Sequence, residues 1–328
     1  MRAAAVFSPL SKTLLALAVL AGAAGSAWAQ GYPAKAVHLT VANTPGSSPD
    51  VLARYLSPKL SEVWKQAVVV DNKAGAAGIV AADGTAKAPA DGYELLVGAD
   101  GPITILPNLR SGIPYDAQRD LVPVVSLGQI DFVLVANPKT GFHTLADFVR
   151  AAKAHPGRYN YASAGNGSPQ HLSMEVLKQK AGIFVTHIPY RGGPIGMQDV
   201  IAGQVEVMFI AIGPALPQIR AGKLVALGVG GAQRHPLLPE VPTVADAYPG
   251  FRAGTWFGLF APARTPQPVL DAIAADTGRI LRTPAAKADL AAQGIDATGF
   301  PQAQFQRQVA GDFARYGQVA RAVKISLD

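Results

Sequence analysis

Short apolar runs alternate with amphipathic stretches along most of the chain. Val37–Val41 predicts a strand, residues 43–49 predict a loop, and Asp50–Val63 predicts a helix whose apolar residues recur on one stripe. The stripe consists of Leu52, Leu56, Leu60 and Val63. The same reading predicts strands at Ala67–Val70, Glu94–Gly98, Leu121–Leu127, Phe132–Val135, Asn160–Ser163, Phe184–Ile188, Val205–Ile210, Leu224–Val229 and Trp256–Phe260. It predicts helices at residues 79–88, 144–155, 169–180, from Gly193 to Ile201, 268–282, 284–293 and 302–323.

This alternation of strands and helices predicts parallel sheets covered by helices. One sheet would need too many strands, so we expect an α/β fold made of two lobes. The first lobe would hold residues 30–130, the second residues 131–254, and the chain would return to the first lobe at residues 255–328 with its C-terminal helices.

The first residues carry the pattern of an export signal. Arg2 and Lys12 flank a short basic N-terminal region, and Leu14–Ala24 is a compact apolar run. Ala27-Trp28-Ala29 has small residues at the two positions that signal peptidase recognises. The apolar run is shorter than the about 20 residues of a membrane-spanning helix. We therefore predict a signal at residues 1–29 that is cut before Gln30.

Composition narrows the class of protein. The 328 residues are 49% hydrophobic and 16% charged, which favours a folded globular chain. Cysteine is absent, which excludes disulfides, a Cys-ligated zinc site and a thiol nucleophile. Loss of Arg2 and Lys12 with the signal lowers the net charge from +7 to +5, and the basic residues are scattered, so nucleic-acid binding is not expected.

Two loops between a strand and a helix have the composition of an anion site. The loop at residues 43–50 places Ser48 before a proline, and the loop at residues 164–169 does the same with Ser168. Serine is a favoured N-cap and proline is favoured at the first helical position. Free N–H groups at a positive helix end attract carboxylate or phosphate. The alternative is that each Ser-Pro pair only caps its helix.

Motifs for other chemistry are absent. The sequence has no phosphate loop, no dinucleotide fingerprint, no G-x-S-x-G elbow and no His spacing typical of a metal site. Ser168 and His171 could be the nucleophile and base of a serine hydrolase. Alternatively, Ser168 caps a helix and His171 lies in its first turn. Arg191 could grip a carboxylate or brace a loop. Asp100 could accept a hydrogen bond from a ligand or cap the next helix.

The order of motifs resembles the Bug family, the solute receptors of tripartite tricarboxylate transporters. The first loop resembles the Pro-Gly-Gly-x-x-Asp loop of that family, and residues 68–78 resemble its valine strand and Gly-Ala-x-Gly turn. The other matching segments, in order, are Tyr32-Pro33, Asp91-Gly92-Tyr93, residues 161–168, residues 187–193, residues 239–243 and residues 256–262. These segments cover essentially the whole mature chain.

The resemblance implies a periplasmic binding protein that closes its two lobes like a flytrap on a small carboxylate. It would pass this ligand to membrane permease subunits as a monomer, without a cofactor, a metal or enzymatic activity. The contacts implied in the first lobe are Thr44, Gly46, Ser47, Ser48, Asp50 and Asp100. Those implied in the second lobe are Ser163, Ala164, Gly165, Asn166, Ser168, Tyr190 and Arg191.

Two departures from the family pattern bear on the ligand. Ser47 stands where a second glycine is usual, which narrows the first loop. Ile210 and Ala211 stand where many members carry Asp or Asn, which favours a plain or aromatic acid over an amino acid. A secreted hydrolase and a ligand-sensing partner of a membrane kinase are the alternatives.

Overall fold

A computed structural model describes residues 31–323, so the predicted signal and its cleavage before Gln30 lie outside the described residues. The strands are β1 Val37–Val41, β2 Val68–Asn72, β3 Glu94–Ala99, β4 Leu121–Ala136, β5 Asn160–Ser163, β6 Thr186–Pro189, β7 Val207–Ala211, β8 Val225–Val229, β9 Gly254–Pro262 and β10 Asp296–Ala297. The helices are α1 Ser48–Trp64, α2 Ile79–Ala86, α3 Leu145–Ala154, α4 Pro169–Ala181, α5 Gly193–Ala202, α6 Ile212–Arg220, α7 Val244–Ala247, α8 Gln267–Leu281, α9 Pro284–Ala291 and α10 Gln302–Val323. No helix within residues 31–323 is long and apolar enough to cross a membrane.

The α/β fold class is confirmed, but the sheet is mixed rather than parallel. Its main path runs β2-β1-β3-β9-β4-β7-β5-β6, and β8 and β10 also pair with β4. β1 is parallel to β2 and β3, and β5 is parallel to β6 and β7. β9 and β4 run antiparallel to their neighbours, and the chain crosses between the two groups of strands through them.

β4 joins the two groups of strands. It was expected as two strands separated at residues 128–131, and this was wrong. Those residues stay extended because they pair with Phe257–Gly254 of β9. β4 pairs with β9 up to Asp131 and with β7 from Phe132 onward. We call residues 31–131 and 254–323 the first half, and residues 132–253 the second half. The predicted lobe boundaries at 130 and 254 stay a prediction.

The predicted apolar stripe on helix α1 is confirmed except at its last residue. Leu52, Leu56 and Leu60 are fully buried against the sheet. Val63 is 39% exposed, and Trp64 takes the next core position and donates its indole N–H to Asp276 at 2.9 Å.

Helix α6 was not expected, because Pro214 and Pro217 are typical of a loop. Pro214 is tolerated because it lies in the first helical turn, where no N–H bond is lost.

Candidate functional site

The two predicted loops face each other across a narrow cleft. Thr44 in the first loop lies against the second half, since a Cβ atom on Gly192 would be 2.8 Å from its Oγ1 atom. A Cβ atom on Gly165 would be 3.7 Å from the Cβ of Ala77 in the first half. The halves are therefore in contact, and the cleft between them is closed.

One cavity at the cleft has a volume of about 60 Å³, and we call it the inner chamber because four helices begin around it. Four helices of the described chain begin at its wall: α1, α4, α5 and α6. Each contributes residues of its cap or first turn, and each carries a proline there. The lining residues are Asn43, Ser47, Ser48, Pro49, Ala99, Ile130, Ala164, Pro169, Gln170, Gly193, Pro194, Ile210, Ala211, Pro214, Thr255 and Phe257.

This arrangement gives the inner chamber the electrostatics of an anion site. The first N–H groups of a helix have no acceptor within the helix, and the helix dipole adds partial positive charge at the same end. Ile130, Ile210 and Phe257 supply an apolar wall. No Asp or Glu within residues 31–323 lines the chamber. A carboxylate with an apolar body fits this chemistry.

A second, larger cavity at the cleft has a volume of about 300 Å³, and we call it the outer chamber. It is lined by Ala42, Asn43, Gly75, Ala76, Ala77, Gly78, Leu106, Arg110, Ala164, Gly165, Asn166, Tyr190 and Arg191. Asn43 and Ala164 line both chambers, so the two cavities adjoin.

The first loop is braced from behind by Asp50. Its carboxylate accepts hydrogen bonds from the Gly46 N–H at 2.9 Å, the Asn72 amide at 2.9 Å and the Arg54 guanidinium at 3.0 Å. Burial acts to raise the pKa of Asp50, but these hydrogen bonds outweigh it and hold the pKa below its ordinary value. Asp50 therefore stabilises the loop and lines neither chamber.

The second loop rests on two stacked histidines. The rings of His171 and His187 lie 4.0 Å apart at an angle of 5°. His171 Nδ1 accepts the Gly167 N–H at 3.1 Å, while His187 Nε2 lies 2.6 Å from the hydroxyl oxygen of Ser163, and Gly165 N–H donates to that oxygen. Burial lowers the pKa of His171 to about 4, and burial and the neighbouring His171 lower that of His187 to about 3. Both rings are therefore neutral at pH 7.

The serines before proline behave differently. Ser168 is the N-cap of α4 and accepts the His171 N–H at 3.3 Å, as predicted for a cap. Ser48 is the first helical residue and not a cap, and the Ser47 hydroxyl donates to the Thr44 carbonyl at 2.7 Å. The proposed Ser168–His171 hydrolase pair is not supported, because the His171 ring bonds to Gly167 and not to the Ser168 hydroxyl.

Asp100 lies outside both chambers. Its carboxylate is 1% exposed and accepts hydrogen bonds from Thr255 Oγ1 at 2.5 Å and from the Tyr316 hydroxyl at 3.0 Å. It makes no cap hydrogen bond, so the capping alternative was wrong. Burial raises its pKa to about 7, against the effect of the hydrogen bonds from Thr255 and Tyr316.

The structure thus brings together only part of the predicted set. Ser47, Ser48, Ala164, Gly165, Asn166, Tyr190 and Arg191 line a chamber. Gly46, Asp50, Ser163 and Ser168 shape the loops from behind, while Thr44 lies between the halves with a buried hydroxyl that has no partner among the described residues. Whether each one contacts a ligand stays a prediction.

Several chamber residues were not predicted. Asn43, Arg110, Thr255 and the turn at Ala76–Ala77 also line the cleft. The Gly-Ala-Ala-Gly turn at residues 75–78 was visible in the sequence as a motif. Arg110 was not, because the residues around it form no motif and only folding of the chain brings it to the cleft. Within residues 31–323 no group of three or more His, Asp or Glu side chains is placed to hold a metal ion.

Comparisons with known proteins agree with this geometry. Residues 52–325 match the family described as the tripartite tricarboxylate transporter family receptor, TctC. Protein BugT of Bordetella pertussis is 35% identical over 303 residues, which cover 92% of this chain and 93% of that protein.

Two solved structures from Rhodopseudomonas palustris share the fold. Rpa4515 with adipate has a TM-score of 0.87 and 31% identity, covering 90% of this chain and 99% of that chain. MatC with bound malate has a TM-score of 0.83 and 29% identity, covering 88% and 99%. The two-lobed binding-protein fold and the resemblance to the Bug receptors are confirmed, and the chain belongs to the tripartite tricarboxylate transporter receptor family.

Proposed function

We propose that this protein is a periplasmic receptor that binds a small organic acid between its halves and delivers it to a tripartite membrane transporter. The observation that carries the proposal is the inner chamber, where four helix N-termini meet without an acidic residue of the described chain in the lining. The adipate and malate bound by the two similar structures support the same ligand class.

A binding experiment with matched neutral analogues tests the carboxylate claim. We expect isothermal titration calorimetry to find an acid among succinate, malate, adipate and benzoate that binds, whereas its primary amide binds at least about tenfold more weakly, because the helix ends favour negative charge. Absence of binding by every acid, or equal binding of acid and amide, would contradict the proposal.

A pair of serine variants on one helix locates the site. Ser48 lines the inner chamber, and its hydroxyl has no hydrogen-bond partner within residues 31–323. Ser57 lies on the same helix, outside both chambers, and its hydroxyl donates to the Val68 carbonyl. We expect Ser48→Ala to weaken binding of the acid and Ser57→Ala to leave the affinity unchanged. The reverse order would place the ligand elsewhere.

Export and delivery rest on the predicted signal and on the family. We propose that the chain functions in the periplasm after removal of residues 1–29 and that its partner is the membrane permease of a tripartite transporter. N-terminal sequencing of the exported protein should begin at Gln30. Membership of a family of substrate receptors also supports a non-enzymatic role for this protein.

A further inference from the structure

One face of the β4–β9 strand pair forms a wall of the inner chamber. Side chains alternate between the two faces of a strand, so Thr255 and Phe257 share a face of β9. Ile130 of β4 lies directly opposite Thr255 on the same face. All three residues line the inner chamber, and Thr255 is the polar one among them. It therefore brings a hydroxyl group to a wall that is otherwise apolar.

The hydrogen of this hydroxyl group is already in use. Thr255 Oγ1 lies 2.5 Å from Asp100 Oδ1, and an ionised carboxylate can only accept, so Thr255 must donate to it. The other acceptor nearby, the Trp256 carbonyl, is 3.3 Å away. Within residues 31–323 no group donates to Thr255 Oγ1. While Asp100 is ionised, Thr255 can therefore offer a ligand only its free lone pairs.

A proton on Asp100 reverses this arrangement. The Tyr316 hydroxyl donates to Asp100 Oδ2 at 3.0 Å. The Arg315 guanidinium, which carries only donors, lies beside the Tyr316 hydroxyl and favours its oxygen as an acceptor. The Tyr316 hydrogen thus stays on Oδ2, and a proton added to the carboxyl group lies on Oδ1. This proton then donates to Thr255 Oγ1, and the Thr255 hydrogen is free to turn to a ligand.

A third cavity gives protons access to Asp100. It has a volume of about 390 Å³, and its lining includes Asp100, Arg315 and Tyr316. Ile130 and Thr255 line this cavity and the inner chamber, so the two spaces adjoin at the strand pair. Asp100 can therefore exchange protons with solvent although its side chain is 1% exposed.

Charges of both signs surround Asp100 on the side of this third cavity. Asp312 and Arg315 of α10 act on the carboxyl group in opposite directions, and burial outweighs both in raising its pKa. Asp131 and Arg252 also line the cavity and carry opposite charges. Helix α4 adds only the apolar Leu172 to the cluster around Tyr316. No single charge near Asp100 therefore holds it in one protonation state.

We propose that Asp100 is a positioning residue that sets the direction of the Thr255 hydroxyl group. While Asp100 is ionised, Thr255 accepts a hydrogen bond from a donor on the ligand, and while Asp100 is protonated, Thr255 donates one. The inference rests on the proposed function, because it takes the inner chamber to be the place where the acid binds. An acid that also carries a hydroxyl group gains from ionised Asp100, and a plain acid gains from protonated Asp100.

Pairs of acids that differ by one hydroxyl group report the direction of Thr255. We would measure affinities by calorimetry for lactate and propionate, for malate and succinate, and for the tightest-binding acid of the first panel and its counterpart with one hydroxyl group more or fewer. We expect the hydroxy acid of at least one pair to gain on the plain acid by about threefold or more between about pH 6.5 and about pH 8.5. Changes in closure or stability affect both members of a pair and cancel in this ratio.

Three substitutions separate positioning from a structural role. Asp100→Asn cannot ionise and Thr255→Val lacks the hydroxyl group, so each should make the ratio of affinities independent of pH. Tyr316→Phe removes a hydrogen bond that favours the ionised carboxylate, so it should move the midpoint of the pH profile upward. A structural role for Asp100 would change both affinities of a pair alike and would move no midpoint.

Asp131→Asn is the matched control. Asp131 lines the same third cavity and burial also raises its pKa, but it forms no hydrogen bond with Thr255. This variant should keep the pH dependence of the wild type. The inference is overturned if the wild-type ratio is constant or moves toward the plain acid as pH rises. It is also overturned if Asp100→Asn or Thr255→Val keeps the wild-type dependence, or if Asp131→Asn abolishes it too. Failure of every acid to bind would instead refute the proposed function.

Discussion

At the scale of single residues, burial decides what a polar side chain does. Asp100 follows β3 and comes directly before a Gly-Pro pair, a position that suggested either a ligand contact or a cap. Its carboxylate instead joins Thr255 and Tyr316, which lie 155 and 216 positions further along the chain. No local pattern predicts such partners. Thr255 lines the inner chamber, so Asp100 can affect a ligand through this neighbour.

Asp100→Asn should change how stability depends on pH. The folded pKa of about 7 lies above the ordinary value of 3.8, so the stabilising contribution of protonated Asp100 is complete below about pH 4 and is lost as pH rises through about 7. The free energy of unfolding of the wild type, measured by urea denaturation relative to the variant, should therefore fall between about pH 4 and about pH 7 and be constant at higher pH. His171 and His187 are present in both proteins, so their contributions to the pH dependence cancel in this difference. A constant difference would contradict the assignment.

At the scale of elements, the sequence predicts strands and helices well where the apolar pattern is unbroken. β1, β5 and the buried stripe of α1 follow directly from it. The pattern fails at β4, because Gly128, Gln129 and Asp131 interrupt the apolar run, and pairing with β9 keeps the strand continuous. A single sequence contains no signal for this pairing, since it depends on a strand more than a hundred residues away.

The crossing between the halves depends on a close backbone approach at Gly230. Its N–H donates to the Phe132 carbonyl at 2.7 Å and its carbonyl accepts the Ala253 N–H at 3.0 Å. A Cβ atom here would be 2.2 Å from the Ala253 carbonyl oxygen. We expect Gly230→Ala to lower the free energy of unfolding by about 1–3 kcal/mol or more, measured by urea denaturation.

The control for Gly230 is a glycine with free space. Gly84 lies in helix α2, and a Cβ atom there would meet nothing within 4 Å. Gly84→Ala should leave stability unchanged or raise it by about 0.5–1 kcal/mol, because alanine favours the helix. Equal effects of the two substitutions would show that the crossing is not tightly packed.

At the scale of the whole molecule, the site exists only because the halves meet. The two loops were predicted from Gly, Ser and Pro residues in the sequence, and both lie at the cleft. The outer chamber was not predicted as a unit, because its residues come from segments far apart in sequence and adjoin only when the cleft is closed. Sequence motifs therefore located the loops but not the other segments that line the outer chamber, such as the one with Arg110.

Gly192→Ala should prevent the cleft from closing fully. Gly192 has a φ of 152°, and its added methyl group would be 2.8 Å from Thr44 Oγ1 in the opposite half. We expect the affinity for the tightest-binding acid of the panel to fall about tenfold or more, corresponding to about 1.4 kcal/mol. Small-angle X-ray scattering should show that this acid compacts the wild type more than the variant.

Gly250→Ala tests whether backbone strain alone explains such a loss. Gly250 also has a positive φ, 75°, but a Cβ atom there would meet nothing within 4 Å. It should bind the acid like the wild type and compact to the same extent. If the two variants bind equally, contact between Thr44 and Gly192 does not limit closure.

The inner chamber has a consequence for how such receptors can diversify. Its main donors are expected to be amide groups of the peptide backbone, which every residue except proline supplies, so replacement of a neighbouring side chain leaves them in place. Positions such as Ile210 and Phe257 can then change in size without removing the attraction for an acid. The same fold can in this way bind new ligands after few substitutions, while its preference for anions persists.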